Sequence, residues 1–210
     1  MKDVFAFIEK ARMQIAVKGE FPYWKLLEEL EEFSGKFPDL WKGRTEGNVE
    51  IKGKLCLGKG SVVKNGSVIE GNVFVGENCV IGPNAFLRGP VIIADNCHIG
   101  SSEIKNSLVL AGSNAPHYSY IGDSIIGEKV NFGAGAKVAN LRFDEKNVSV
   151  GISGKLYDSG RRKLGALVKS GTKIGINASI DCGVIVGMNC FIFPGAVVSK
   201  NLADGEKFRG

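Results

Sequence analysis

The histidine at position 117 is the residue best suited to proton transfer near neutral pH, because its segment is unusual. That segment runs Asn114-Ala-Pro-His-Tyr-Ser-Tyr-Ile-Gly-Asp123 and interrupts a repeat that continues on both sides. An exposed imidazole there could accept a proton from an amine or a hydroxyl, which is worth about 10² to 10⁴ in rate. The alternative is a surface histidine without a role, and for His98 we favour that alternative.

Two cations are spaced so that they could share one anion. Arg88 follows Leu87, an aliphatic residue of the repeat, and Lys105 comes 17 residues later. Because one coil of the predicted fold takes about 18 residues, both side chains should leave the same edge in adjacent coils. Together they could hold a phosphate, and the alternative is two solvated surface cations.

Metal chemistry is not expected from these residues. The chain has two histidines, fewer than a three-histidine zinc site needs, and it contains neither Cys-x-x-Cys nor His-Glu-x-x-His. A nucleophile elbow is also missing. No metal is therefore assigned.

The scaffold that must position these groups is a hexapeptide repeat. Large aliphatic residues fall six apart, and a small residue usually follows four positions later. The aliphatic positions are Leu57, Val63, Ile69, Val75, Ile81, Leu87, Ile93 and Ile99, then Ile126, Phe132 and Val138, and finally Ile174, Ile180, Val186, Ile192 and Val198. Such repeats predict an all-β fold, a three-sided parallel β-helix of the left-handed type, with one continuous core.

Three of the five cysteines fit this pattern. Cys79, Cys97 and Cys190 occupy the small inward position, so we interpret them as core thiols. Cys56 and Cys182 lie off that position and have no assigned role. An odd number of cysteines without paired spacing, and no secretory leader pattern, favour a cytoplasmic protein.

Two stretches break the repeat. The interval from Ile99 to Ile126 is 27 residues, four hexads and three more, which predicts an outward bulge over 111–120. Between 140 and 170, Val148, Val150 and Ile152 alternate like a strand, and residues 155–163 read as a polar loop. Such loops usually form one wall of a site or contact another subunit.

The N-terminal residues carry helical signals instead. Asp3 can cap a first helix that ends near Gly19, and a second helix starts near Pro22 and stops at Gly35. We expect three regions: a helical segment over 1–45, the β-helix over 46–205, and a tail over 206–210. The segment is interpreted as a cap or arm on the main domain or on a neighbouring subunit, and the alternative is a module that binds another protein.

The overall charge argues mildly for an anionic ligand. The chain has 27 Lys and Arg against 22 Asp and Glu, a net charge of +5. No basic stripe interleaved with aromatic residues occurs, which disfavours nucleic acid. No apolar run of about 18 residues occurs either, so no membrane span is predicted.

Several motifs together resemble one enzyme family. They are Gly82-Pro-Asn-Ala-Phe-Leu-Arg88, Glu103-Ile-Lys105, Ala115-Pro-His-Tyr-Ser-Tyr-Ile-Gly-Asp123, Val130-Asn-Phe-Gly-Ala-Gly135 and Ala139-Asn-Leu-Arg-Phe-Asp144. They are similar to the C-terminal acetyltransferase domain of bifunctional enzymes that make UDP-N-acetylglucosamine, in the archaeal-type sugar-1-phosphate nucleotidylyltransferase/acetyltransferase branch. The resemblance covers about residues 50–205 and suggests a stand-alone short form without the nucleotidyltransferase domain.

The resemblance implies a homotrimer with active sites between subunits, which moves acetyl from acetyl-CoA to the amine of an amino-sugar 1-phosphate. It implies catalytic roles for His117, as the base, and for Asn140. The implied substrate-binding residues are Arg88, Lys105, Tyr120, Asn131 and Lys146, and the implied cofactor-binding residues are Ala134, Ile176 and Pro194.

Three positions depart from the family pattern. Leu141 replaces a tyrosine of the bacterial motif, Ser149 stands where some relatives carry a lysine, and Ile176 stands where bacterial enzymes have a serine. Two alternatives therefore stay open. One is a non-catalytic trimer that binds sugar phosphates or serves as a scaffold for a separate sugar nucleotidyltransferase. The other is an acyltransferase with a different acceptor.

Overall fold

The computed structural model describes residues 2–17 and 19–210. Within them the chain forms helices α1 (Lys2–Ala16) and α2 (Trp24–Phe33), a 3₁₀ helix (Ser34–Lys36) and twenty strands. In chain order the strands are β1 (Arg44–Thr45), β2 (Glu50–Leu57), β3 (Val62–Val63), β4 (Val68–Val75), β5 (Val80–Ile81), β6 (Phe86–Ile93), β7 (His98–Val109), β8 (Asn114–Gly122), β9 (Ile125–Ile126), β10 (Asn131–Phe132), β11 (Lys137–Val138), β12 (Ser149–Ile152), β13 (Lys155–Asp158), β14 (Leu167–Val168), β15 (Lys173–Ile174), β16 (Ser179–Ile180), β17 (Ile185–Val186), β18 (Phe191–Ile192), β19 (Val197–Val198) and β20 (Lys207–Phe208).

All strands except β12 and β13 wind into a left-handed parallel β-helix of about nine coils, which confirms the predicted fold class. Each coil contributes one strand segment to each of three faces. Face 1 holds β1, β3, β5, the start of β7 and of β8, β10, β15, β18 and β20. Face 2 holds the starts of β2, β4 and β6, the middle of β7, the end of β8, β11, β16 and β19. Face 3 holds the ends of β2, β4, β6 and β7, then β9, β14 and β17.

The inward side chains form one continuous core along the axis. Every aliphatic position of the hexapeptide pattern is buried there, as are Cys79, Cys97 and Cys190, which confirms their interpretation as core thiols. Each inward residue of one coil stacks on that of the next, as Ile81 does on Ile99, 18 residues later. Burial of this apolar column is the main contribution to the stability of the solenoid.

The predicted bulge over 111–120 is wrong. Residues 114–122 form the continuous strand β8, and the irregularity is a shortening of the coils instead of an outward loop. Ile99 stacks on Ala115 after 16 residues, and Val109 stacks on Ile126 after 17 (through the pairing of β7 with β9). The missing residues appear as register shifts after Arg88 and after Ser101. Backbone pairing with both neighbouring coils keeps the segment in the ladder, so the turn shortens and the chain does not leave it.

An apolar stripe on the outside of face 3 explains the N-terminal helices. The residue that precedes the inward aliphatic on this face is buried in coil after coil: Cys56, Phe74, Ile92, Leu108, Ile125, Leu167 and Ile185. Apolar residues of α1 and α2, among them Ala11, Leu27 and Leu30, cover this stripe. The described part of the N-terminal segment therefore packs on the β-helix of its own chain. Asp3 lies in the first turn of α1 instead of preceding it.

The second irregular stretch contains a β-hairpin. Strand β12 pairs antiparallel with β13 through a turn at Ser153 and Gly154, both with positive φ. The alternating strand was predicted, whereas its partner β13 lies in the stretch predicted as a polar loop. Val148 and Val150 are buried beside the N-terminal helices.

The β-helix extends beyond both predicted limits. Strand β1 pairs with β3 from residue 44 onward, and β20 pairs with β18 inside the segment predicted as a tail. Residues 207–208 lie in the ladder because Phe208 continues the inward row of Ile192. The division of the chain into domains otherwise stays a prediction. Among the described helices, none is long and apolar enough to cross a membrane.

Candidate functional site

One edge of the β-helix, between faces 1 and 2, brings His117 into line with the three predicted cofactor residues. Hydrogen bonds between coils define the row: the N–H of Gly135 donates to the carbonyl of His117 at 2.9 Å. In the same way Asn177 donates to Ala134 and Gly195 donates to Ile176, each at 2.9 Å. His117, Ala134, Ile176 and Pro194 therefore succeed one another at the spacing of the coils, about 4.8 Å.

This row is open to solvent along its length. His117 and Pro194 are exposed, Ile176 is 53% exposed, and Ala134 is half-buried. Glycine at the preceding positions allows the coils to approach. A Cβ at Gly175 would lie 2.4 Å from the backbone nitrogen of Pro194, and one at Gly133 would lie 2.7 Å from that of Ile176. The row is thus a shallow, largely uncharged track that starts at an imidazole.

The next edge, between faces 2 and 3, holds the two predicted phosphate ligands. Arg88 and Lys105 are register partners in adjacent strands, the arrangement that their spacing predicts. Each already has a carboxylate partner: Arg88 Nη1 lies 2.9 Å from Glu103 Oε1, and Lys105 Nζ lies 2.9 Å from both oxygens of Asp123. The hydrogen bond with Glu103 raises the pKa of Arg88 above its ordinary value. An arriving phosphate would have to share these cations with Glu103 and Asp123.

Tyr120 and Asn140 connect the two edges across face 2. The amide of Asn140 donates to the hydroxyl of Tyr120 at 3.0 Å and to Asp123 Oδ2. Tyr120 is half-buried on face 2. Burial, with the negative charges of Asp123 and Glu103, raises the pKa of Tyr120, so its phenol stays protonated at neutral pH. These side chains can donate to and accept from a polar ligand lying on face 2.

The other two predicted substrate ligands lie outside this cluster. Asn131 is on face 1, half-buried, between its register partners Asn114 and Lys173. Lys146 is exposed in the loop before β12, where its backbone N–H donates to Asp144 at 3.3 Å. Among the described residues, neither side chain hydrogen bonds to Arg88, Lys105, Tyr120 or Asn140.

His98 stands close to the proposed base. It lies on face 1, and burial lowers its pKa, with further lowering by the positive charges of Lys64 and His117. The imidazole of His117 itself is exposed, and none of the described side chains donates a hydrogen bond to it. In the described part of the chain no three His, Cys, Asp or Glu side chains converge as metal ligands would.

A cleft of about 560 Å³ borders the cluster on its far side. Its lining includes Ala139 and Leu141, which flank Asn140, together with Asp181 and Cys182. Leu141 is 38% exposed, and Phe143 at the rim is fully exposed. The cleft is open in the single chain, so its apolar rim is available to another surface.

Sequence reasoning missed one residue of the cluster, Asp123. A signal was available, because Asp123 follows Lys105 by 18 residues, one full coil, and stacked positions of opposite charge pair across coils. The role of Cys56 was missed for a similar reason. Its position is the apolar one that recurs on the outside of face 3.

Comparisons with known proteins agree with this arrangement. The family described as GMPPB C-terminal domain matches residues 69–155, and the hexapeptide repeat of succinyl-transferase matches residues 170–200. The bifunctional sugar-1-phosphate nucleotidylyltransferase/acetyltransferase of Sulfurisphaera tokodaii is 48% identical over 168 residues, which are 80% of this chain and 42% of that protein. The bifunctional protein GlmU of Methanocaldococcus jannaschii is 41% identical over 180 residues, 85% of this chain and 44% of that protein.

The chain therefore spans less than half the length of these two relatives. Among solved structures, UDP-N-acetylglucosamine acyltransferase from Campylobacter jejuni superposes with a TM-score of 0.51 at 15% identity. The match covers 79% of this chain and 68% of that chain, and it shows a shared fold.

Proposed function

The chain belongs to the hexapeptide-repeat acyltransferase family of left-handed parallel β-helices, and on that premise we propose that it acetylates an amino-sugar 1-phosphate with acetyl-CoA. The observation that carries the proposal is the pair of neighbouring edges described above. One edge presents an imidazole at the head of an open track, and the other presents Arg88 and Lys105. The relatives whose names include an acetyltransferase or GlmU point the same way.

On the acceptor side, the phosphate would bind at Arg88 and Lys105. Charged hydrogen bonds from both cations suit a phosphate dianion, and Arg88 is exposed enough to turn from Glu103 toward it (41% of its side chain). The sugar would then lie across face 2 over Tyr120, with its amine toward His117. Asn131 and Lys146 would join this site only if a ligand or a second chain approaches face 1 and the loop before β12.

On the donor side, the acyl-CoA arm would lie along Ala134, Ile176 and Pro194. An extended pantetheine arm needs a narrow apolar track with backbone groups along it, which this row offers. The thioester would then stand next to His117. Ile176 contributes apolar contact at a position where a hydroxyl would otherwise be available.

The chemistry follows from this placement. His117 would accept a proton from the amine as its nitrogen attacks the thioester carbonyl, which forms the C–N bond. Collapse of the tetrahedral intermediate breaks the C–S bond, and the protonated imidazole returns the proton to the sulfur. The products are the N-acetylated sugar phosphate and free CoA thiol. Asn140 would orient the acceptor or the acetyl group through its amide, beside Tyr120.

A homotrimer would complete the site, because in one chain both edges are open to water. The exposed Ile176, Leu141 and Phe143 are the surfaces that a second copy would cover. Water exclusion strengthens the charge interactions with a phosphate and protects the thioester. Light scattering on the purified protein would report the mass directly.

The experiment for this function is a thiol-release assay with acetyl-CoA. Glucosamine 1-phosphate and galactosamine 1-phosphate are the test acceptors, and glucosamine without a phosphate is the matched control. We expect thiol release with at least one of the phosphates and a much weaker signal with the control. If no amino-sugar phosphate releases thiol, the acetyltransferase proposal fails.

A second candidate is a non-catalytic sugar-phosphate binder, or a scaffold for a separate nucleotidyltransferase. The ion pairs Arg88–Glu103 and Lys105–Asp123 favour it, since they leave little net charge for a strongly bound substrate. Thermal stabilisation by a sugar phosphate, without any effect of acetyl-CoA, would support this candidate over the first.

A further inference from the structure

The carboxylate of Asp123 lies at the centre of a buried hydrogen-bond network. It is 2% exposed, and its two oxygens receive four contacts from three side chains. Oδ1 accepts from Lys105 Nζ at 2.9 Å and from Asn106 Nδ2 at 2.8 Å. Oδ2 accepts from Lys105 Nζ at 2.9 Å and from Asn140 Nδ2 at 2.5 Å. An ionised carboxylate has about four acceptor sites, and here all of them are used.

These contacts fix the two side chains that face the proposed acceptor. The Lys105 ammonium has three hydrogens, so when it holds both oxygens of Asp123 it still has a donor for a ligand. Its side chain is 20% exposed, on the side away from Asp123. The Asn140 amide gives one hydrogen to Asp123 and the other to Tyr120, which sets the orientation of its carbonyl. Without Asp123, both long side chains would regain rotamer freedom.

The network continues into the N-terminal segment. The second Nδ2 hydrogen of Asn106 donates to Oε1 of Glu31, in α2, at 2.7 Å. Asn106 is therefore held between two carboxylates, and both of its amide hydrogens are used. Glu31 is also ion-paired with Arg161, in the stretch that follows the hairpin. A helix that covers face 3 is thus connected to the edge that carries Lys105.

We infer that Asp123 is a positioning residue that holds Lys105 and Asn140 in their ligand-binding orientations, and that Glu31 of α2 supports it through Asn106. This inference rests on the proposed function for its effect on turnover, whereas the orientation of Asn140 can be measured without any substrate. It gives the N-terminal helices a part in the site in addition to covering the apolar stripe.

The variant that tests it is Asp123→Asn. Asp123 has a φ of +50°, a conformation that asparagine also tolerates, so the change removes the charge with little backbone strain. The matched control is Asp181→Asn, which makes the same substitution on the same edge. Asp181 is exposed, and none of the described side chains hydrogen bonds to it.

The first readout is solvent exchange of the Asn140 side-chain amide, followed by NMR and assigned with Asn140→Ser. We expect slow exchange in the parent and in Asp181→Asn, and exchange at least 10-fold faster in Asp123→Asn. Equal exchange rates in the two Asp variants would overturn the inference. Because no substrate is present, this result is independent of whether the chain is an acetyltransferase.

The second readout separates the two substrates. In Asp123→Asn, kcat/KM for the amino-sugar phosphate should fall by about 10- to 100-fold, the usual cost of a misplaced binding group. The KM for acetyl-CoA should stay within twofold, because the donor track lies on the other edge. A parallel loss for both substrates would indicate a purely structural role and contradict positioning. A parent without any thiol release would refute the proposed function and leave the exchange result to decide the inference.

The link to α2 is tested with Glu31→Ala against Glu32→Ala, an exposed neighbour on the same helix. Glu31→Ala should raise the exchange rate of the Asn106 amide severalfold, and Glu32→Ala should leave it unchanged. The same rate in both variants would remove Glu31 from the network.

Discussion

Substitution of Phe74 by alanine tests whether the N-terminal helices are held by the apolar stripe of face 3. The Phe74 side chain points outward, is 1% exposed, and lies with its ring 6.1 Å from that of Phe5 and 6.2 Å from that of Phe37. Loss of a fully buried phenylalanine costs about 3 to 5 kcal/mol, from lost transfer free energy and the cavity left behind. Phe74→Ala should therefore weaken the packing of the helices by that amount.

A matched control exists on another face. Phe191 also precedes an inward aliphatic residue, but it is 47% exposed, and its described contact is Lys207 at 6.0 Å over the ring. Phe191→Ala should cost less than about 1 kcal/mol in the single chain. Urea unfolding followed by fluorescence reports both variants, because Trp24 in α2 is 6% exposed and sensitive to detachment of the helix.

Hydrogen exchange of the α2 amides separates local detachment from unfolding of the whole β-helix. In Phe74→Ala, exchange in α2 should rise before the core strands open, since a solenoid unfolds in parts. Equal destabilisation by both phenylalanine variants, or unchanged α2 exchange in Phe74→Ala, would refute the assignment of this stripe as the packing surface of the helices.

Three further predictions concern single side chains. Tyr23→Phe should lower the free energy of unfolding by about 1 to 3 kcal/mol, measured in urea, because the buried Tyr23 hydroxyl donates to the Gly165 carbonyl at 2.8 Å and that acceptor would be left unpaired. Arg88→Met should raise the KM for the amino-sugar phosphate about 10- to 100-fold if Arg88 binds the phosphate, since a charged hydrogen bond is worth about 1.5 to 3 kcal/mol, whereas Arg44→Met should leave this KM unchanged. Burial lowers the pKa of His98, so just below about pH 6.5 the unfolded chain binds more protons and the folded state loses stability as the pH falls; His98→Asn should therefore lose less stability between pH 7 and pH 5, and an equal loss would contradict this account.

The hexapeptide arithmetic predicted most of the fold because burial of one aliphatic residue in six leaves a direct mark on the sequence. The same arithmetic failed between Ile99 and Ile126. Counting residues cannot tell an insertion of three from the loss of one residue at several turns, and β7 and β8 take the second course. The turns shorten there because pairing with two neighbouring coils is kept.

The edges of the site were only partly predictable. The spacing of Arg88 and Lys105 placed them on one edge, and the row from His117 to Pro194 follows from the register of the coils. The contribution of Glu31 could not be predicted, since contacts between α2 and the β-helix depend on how the helix docks. The apolar stripe of face 3 was readable from the sequence, because an apolar outward residue recurs once per coil, as at Phe74 and Ile92.

The central claim is that His117 is the base of an acetyl transfer to an amino-sugar phosphate. Thiol release should be measured under saturating acetyl-CoA for the parent, for His117→Asn and for His98→Asn, whose imidazole is near but lies on face 1. We expect kcat to fall about 10²- to 10⁴-fold in His117→Asn and to change less than threefold in His98→Asn. Full activity in His117→Asn would contradict the account.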